Sequence, residues 1–227
     1  MDVGKNITGS QFAGFSNMAG GNVGGSEFSG FINTAAEVKG SQFAGFINIA
    51  KKVKGAQLAG FINIADSSDH PIGLVNIIKR GEKAIGFNID ETETGIFSFR
   101  SGGKSLYGII GLGYNFKNTD AVYAFKTGLG AHFFTSKHFQ LNTELAALTL
   151  TRFNRGEYFR SSLRVLPAVK LGNRIEFFGG PGFNYITTNT NEGITLSYHY
   201  IDSWKRNRNN YFQTIYIGYM GGVHWVF

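Results

Sequence analysis

The stretch DAVYAFKTGLGAHFF, Asp120 to Phe134, alternates strictly: Tyr123, Phe125, Leu129 and Phe133 fall on one face of an extended strand, against Lys126, Gly128, Gly130 and His132 on the other. Two more stretches behave the same way. In His138 to Arg152, Phe139, Leu141 and Leu145 oppose His138, Gln140, Asn142 and Glu144, and in Tyr158 to Leu171, Phe159, Leu163, Val165 and Val169 oppose Arg160, Arg164 and Lys170. One face is mainly apolar. The other mixes charge with glycine, alanine and aromatics, the composition of a narrow closed lumen in which large and small side chains interdigitate and charges pair. The stretches are also longer than soluble strands of about 5 to 6 residues, and they match the roughly 9 to 11 needed to cross a lipid bilayer.

Composition agrees. Among 227 residues there are 32 Gly, 22 Phe, 10 Tyr and only 3 Pro, and 16% are charged. That describes an aromatic, glycine-rich all-β chain. Mean hydropathy is slightly negative and no apolar run is long enough for a membrane helix, which leaves a membrane barrel open because its two faces average out. The chain has no cysteine, which fits an envelope protein without disulfides but does not decide the redox compartment. Met1 to Gly9 lacks a charged segment followed by an apolar one, so a secretory signal is expected to be missing from this sequence. The net charge of +7 raises nucleic acid as a partner, and Trp204-Lys205-Arg206-Asn207-Arg208 is where it would bind. The other cations are scattered at alternate strand positions, so no nucleic-acid partner is expected and a polar lumen and lipid headgroups account for the charge better.

The first part of the chain repeats. GSQFAGFSNMA from Gly9, GSEFSGFINTA from Gly25, GSQFAGFINIA from Gly40 and GAQLAGFINIA from Gly55 are followed by degenerate copies, PIGLVNII from Pro71 and AIGFNID from Ala84. A period of about 15 residues marks a stacked array. Simple alternation puts Phe43, Ile47 and Ile49 on one face and Gln42, Phe46 and Asn48 on the other. Asn17, Asn33, Asn48, Asn63 and Asn76 recur at one site, as side chains do when they stack rung upon rung. Coils of a parallel β-solenoid are favoured over strands of an antiparallel meander, since in a solenoid every copy meets the same surroundings. The alternative is one larger barrel of about 14 strands that includes the repeats, a pore or transporter.

These patterns predict a β-repeat array over 1–82 and a transmembrane antiparallel barrel of about eight strands over 83–227. Ser101-Gly102-Gly103, Thr135-Ser136-Lys137 and Gly172-Asn173 are expected as tight turns, and Thr188 to Asn210, with Tyr198, Tyr200 and Trp204, as one long outer loop.

The chain ends Met220-Gly221-Gly222-Val223-His224-Trp225-Val226-Phe227. This resembles the C-terminal signal of bacterial outer-membrane barrels, with Phe227 as the terminal aromatic, Trp225 two before it and Gly222 upstream. The resemblance implies that the barrel-assembly machinery reads the last strand, and that outer-membrane lipid and other envelope proteins are the partners. Ile215, Ile217, Tyr219, Val223, Trp225 and Phe227 form the matching outward row, whose terminal aromatics suit the membrane interface. The repeats also resemble those of bacterial surface-repeat proteins, which implies an envelope context and no defined activity.

No enzyme is expected. His132, His138 and Glu144 are placed inward and a His with a carboxylate is the minimum for a general base, but a lipid-modifying hydrolase also needs an aligned nucleophile; Ser136 falls in a turn and Thr143 faces outward. The better account is a lumen charge network in which Arg152, Arg160, Arg164 and Arg174 offset Glu144, Glu157 and Glu176. The five histidines lie too far apart for a metal site. Gly111-Leu112-Gly113 and Gly179-Gly180-Pro181-Gly182 open no helix, so no phosphate loop and no cofactor are expected. The expected role is structural, anchoring or partner-binding.

Overall fold

A computed structural model of the chain describes residues 3–4, 6–103, 105–119, 121–152, 158–196, 199–206 and 211–227. It comprises two units: Met1–Lys83 with Arg100–Gly108, and Ala84–Phe99 with Ile109–Phe227.

The first unit carries β1 (Val3–Gly4), β2 (Gln11–Ala13), β3 (Ser16–Ala19), β4 (Asn22–Val23), β5 (Glu27–Ser29), β6 (Ile32–Val38), β7 (Gln42–Ala44), β8 (Ile47–Ala59), β9 (Ile62–Ile72) and β10 (Val75–Ile78). Every pairing between these strands is parallel, and identical repeat positions meet, for example Ile32 with Ile47 and Ile47 with Ile62. Each repeat is therefore one coil of a solenoid. The larger-barrel alternative fails on this point, because membrane strands of such a barrel would have to run antiparallel.

One row of strands passes through β3, β6 and the starts of β8 and β9 to β10; a second passes through β2, β5 and β7 to the ends of β8 and β9. Between the rows the chain bends at Gly45–Phe46 and its equivalents. That bend moves one residue of the simple alternation, Phe46, which turns outward instead of joining Gln42 and Asn48. Gln42, Ala44, Asn48, Ala50 and Val53 all point inward, whereas Phe43, Phe46, Ile47 and Ile49 all lie on the outside. The corner explains the glycine: a Cβ on Gly30, Gly45 or Gly60 would collide with the carbonyl oxygen of the preceding coil's glycine.

The interior is thus polar and small, and ladders hold it together. Asn17, Asn33, Asn48 and Asn63 each donate through Nδ2 to Oδ1 of the next asparagine at 2.9–3.1 Å. Asn76 ends the ladder on the carbonyl of Ser101, whose hydroxyl also accepts from the Asn76 amide. Outside, Phe12, Phe28 and Phe43 stack at 4.8–4.9 Å, and Phe15, Phe31, Phe46 and Phe61 at 5.0–5.2 Å, spacings set by the strand separation.

The remaining elements are β11 (Glu82–Asp90), β12 (Thr94–Gly102), β13 (Leu106–Asn115), β14 (Tyr123–Phe133), β15 (Phe139–Thr151), β16 (Tyr158–Leu171), β17 (Ile175–Thr188), α1 (Asn191–Thr195), β18 (Tyr200–Arg206) and β19 (Tyr211–Val226); they make up the second unit, apart from the ends of β11, β12 and β13 at Glu82–Lys83, Arg100–Gly102 and Leu106–Gly108, which belong to the first. Strands β11 to β17 and β19 close an eight-stranded antiparallel barrel, its seam running from Ala84 opposite Val226 to Asp90 opposite Met220. AIGFNID is therefore the first barrel strand and not a further repeat; its spacing mimics a coil, but its partner is the antiparallel C-terminal strand. The long connection is not a plain loop either. It holds the short α1, capped by Thr190, and β18, which pairs with Tyr211–Tyr216 of β19.

Alternation survives intact through the barrel. Phe125, Leu129, Leu145, Leu163, Val165 and Val169 are exposed on the outer wall, while Lys126, Gln140, Asn142, Glu144, Arg160 and Arg164 are buried in the lumen. His138 departs from the expected inward position, lying exposed in the turn before β15.

The barrel lumen as candidate functional site

Arg160, on the inward face of β16, is fully buried. Burial of a guanidinium is tolerated only when its donors are satisfied, and here the partners come from the β11–β12 turn. Its Nη2 pairs with Asp90 Oδ2, and Nη1 lies 3.2 Å from the Tyr216 hydroxyl, 3.4 Å from Thr92 Oγ1 and 3.5 Å from Glu91 Oε1. Asp90 Oδ1 is held in turn by the Thr92 amide at 3.0 Å and the Thr92 hydroxyl at 2.6 Å. Glu91 leans over the wall, accepting from the Tyr216 hydroxyl at 2.7 Å and from the Tyr219 amide at 2.9 Å. Glycine at 218 makes room for it, since a Cβ there would strike the Glu91 carboxylate.

Midway along the lumen, Lys126 reaches Glu144 at 3.4 Å, and Glu144 stands directly across the β15–β16 ladder from Arg164. Ser162 donates to Asn184 at 2.6 Å and lies 3.4 Å from Arg164 Nη2. Farther along, His132 meets Asn142 at 2.6 Å and also contacts Gln140; Glu176 lies 3.6 Å from Lys170 and 3.7 Å from His224, whose ring stacks on Phe178. Apolar side chains occupy the remaining lumen space: Ile96, Leu148, Leu150 and Ile186 in one cluster, Leu166, Phe178 and Met220 in another.

Of the residues singled out from sequence, Glu144, Arg160, Arg164 and Glu176 are buried in the lumen, though in separate clusters. Arg152 is exposed just past the end of β15, and Arg174 is exposed in the β16–β17 turn, so neither enters the lumen. Alternation predicts facing only within a strand, and both arginines lie outside one. Glu157 falls outside the described residues, as do Asn207 and Arg208 of the basic loop. Trp225 and Phe227 are exposed at the end of the outward row, and Gly222 packs against the Asn88 backbone, where a Cβ would not fit. Sequence reasoning missed Asp90, Glu91 and Tyr216, the main partners of Arg160. The signal was the run Asp90-Glu91-Thr92-Glu93-Thr94, which puts acids and hydroxyls together between two alternating stretches.

Chemically, the lumen is a set of ion pairs and hydrogen bonds between its own side chains. Ser162, a buried hydroxyl beside Arg164, is far from His132: that ring pairs with Asn142, which faces Leu166, four residues farther along β16, about 13 Å at strand rise. Among the described residues no group of three or more His, Cys, Asp or Glu is placed to hold a metal ion.

No family model and no curated protein sequence matches the chain. Solved structures similar in fold include a de novo designed transmembrane β-barrel, at 11% identity over 64% of this chain and 93% of that one, with a TM-score of 0.34. The N-terminal β-barrel domain of Pseudomonas aeruginosa OprF is similar at 12% identity over 64% of this chain and 96% of the domain, TM-score 0.33. Neisserial surface protein A is similar at 12% identity over 63% of this chain and 92% of its own, TM-score 0.32.

Proposed function

We propose that the chain is a non-enzymatic outer-membrane protein, in which the barrel anchors the molecule in the bilayer and the repeat array serves a structural or partner-binding role in the envelope. The supporting observation is the contrast between the barrel's two faces. The outward positions of its strands are apolar, as a lipid-facing wall requires, while the lumen is filled by its own side chains and their ion pairs. A filled eight-stranded barrel conducts solutes poorly, so the role lies in holding and presenting rather than in transport. The terminal aromatics Trp225 and Phe227 support assembly by the barrel machinery, which recognises such an end in the family this chain resembles.

The test is to refold the purified chain into vesicles. It is expected to run as a heat-modifiable band on gels and to leave a planar bilayer without steady conductance, and removal of Phe227 is expected to slow assembly in cells while synthesis continues. A chain that stays monomeric and soluble without detergent would refute the membrane reading. Steady single-channel currents would refute the anchoring one.

A further inference from the structure

The solenoid is built with its apolar side chains outward. Inside are Gln, Asn, Ala and Val; outside, along the two rows of strands, run files of phenylalanine and isoleucine. Phe12 is 75% exposed, Phe15 66%, and Phe31, Phe46, Leu58 and Phe61 each about 38–39%. The seven residues from Phe43 to Ile49 cover about 20 Å at strand rise, and five rungs cover about 20 Å along the axis. A continuous apolar region of that extent reaches the size of the largest patches on soluble monomers, and such patches mark an interaction surface.

Its shape and borders select the occupant. The two apolar rows meet at the bend where Gly45–Phe46 and its equivalents turn the chain, so the file Phe15, Phe31, Phe46, Phe61 forms a ridge along the corner, with an open apolar groove lined by Phe12, Phe28, Phe43 and Leu58 beside it. A rigid flat partner covers one side of a ridge and leaves the other wet, whereas a fluid surface wraps both. The remaining side of each coil is polar: Lys51 and Lys52 leave one border of the apolar region and Lys39 and Lys54 lead back into the other, all exposed, and they outnumber the acids of that side, Glu37, which lies 3.8 Å from Lys52, and the exposed Asp66 and Asp69 of the next coil. Apolar faces flanked by lysines are the arrangement of elements that lie in the plane of a bilayer interface.

We propose that the repeat array docks on a lipid bilayer surface, with the phenylalanine ridge sunk among the acyl chains and the lysine side facing water. The proposal rests on the barrel being membrane-embedded, and its test keeps the two apart. Because the chain contains no cysteine, single cysteines report cleanly. Phe46→Cys and Phe31→Cys probe the ridge, Lys54→Cys the polar side, and Leu129→Cys the outer wall of the barrel. Each full-length variant is labelled with an environment-sensitive dye and refolded into phosphatidylcholine–phosphatidylglycerol vesicles whose acyl chains carry a spin-label quencher. The expected result is quenching by more than half at positions 31, 46 and 129, with position 54 unquenched. Quenching at 129 without quenching at 31 and 46 overturns the docking proposal alone; if those labels are instead shielded and the chain is dimeric, a second copy covers the ridge. Absence of quenching at 129 overturns the membrane reading itself.

Discussion

Replacing Asn48 by alanine is expected to loosen the middle of the array more than the same change at its end. Asn48 makes three short hydrogen bonds inside the solenoid: Nδ2 donates to Leu58 O at 2.7 Å and to Asn63 Oδ1 at 3.1 Å, and Oδ1 accepts from Asn33 Nδ2 at 3.0 Å. Asn17 makes two, donating to Phe28 O and to Asn33 Oδ1, both at 2.9 Å. At about 1 kcal/mol net per bond, Asn48→Ala costs about 3 kcal/mol and Asn17→Ala about 2 kcal/mol. With one tenfold factor per 1.4 kcal/mol, local opening grows roughly 140-fold in the first case and roughly 30-fold in the second. Both tryptophans, Trp204 and Trp225, lie outside the repeats, so fluorescence reports poorly on them. Hydrogen exchange followed by mass spectrometry on peptides spanning Gly40 to Ala59 measures the opening directly. Acceleration below about fivefold in the Asn48 variant would refute the ladder as a source of stability.

Glu27 occupies a glutamine position of the inner ladder, where burial pushes its carboxyl pKa up and the hydrogen bond from Gln42 only partly offsets this. A raised folded pKa favours the fold below the unfolded value and weakens it as pH rises through the folded one. Glu27→Gln is therefore expected to stabilise the array by about 1–3 kcal/mol at pH 8 and to have little effect at pH 4, read by the same exchange experiment; equal effects at both pH values would contradict the linkage. Arg160→Leu leaves Asp90 buried without its cation and should lower barrel stability by about 3–5 kcal/mol in urea titrations in detergent, a loss below 1 kcal/mol counting against the ion pair. Deleting Lys39–Val53 removes one coil's length and lets Ile32 take Ile62 as its partner, so a protease-resistant barrel should survive; its collapse would contradict independent units.

The barrel was legible because its strands are long and have one buried face: within Tyr123–Phe133, Phe139–Thr151 and Tyr158–Leu171 each side chain's facing follows from parity alone. The solenoid's period was equally visible, and so was its facing except at the corner, where Phe46 turns outward. Parity holds only while the backbone stays extended, and Gly45 with Phe46 consumes two residues in turning a corner, so Phe43 and Phe46 end on the same side although they are three apart. The lumen cluster was half visible. Arg160 announces itself in a regular strand and Asp90 ends one, inward by the parity of Ala84, Gly86 and Asn88, whereas Glu91 arrives from a turn, where Glu93 adopts a left-handed backbone and no periodicity says which way a side chain points. The pairing of β18 with β19 is likewise a tertiary choice that the local sequence does not encode.

The seam between Ala84 and Val226 imposes an order on folding. The two edges that must meet, β11 and β19, are separated by almost the whole length of the unit, so the ring stays open until β19 is available, and loop closure of that span makes the step slow. The coils before it obey the opposite rule. Each asparagine finds its partner 13 to 16 residues away, close enough for a rung to form as soon as its successor is made. A single polypeptide thus combines a part that zips from neighbour to neighbour with a part that waits for its most distant strands to meet, and it is the waiting part that exposes unpaired apolar strand edges until it closes.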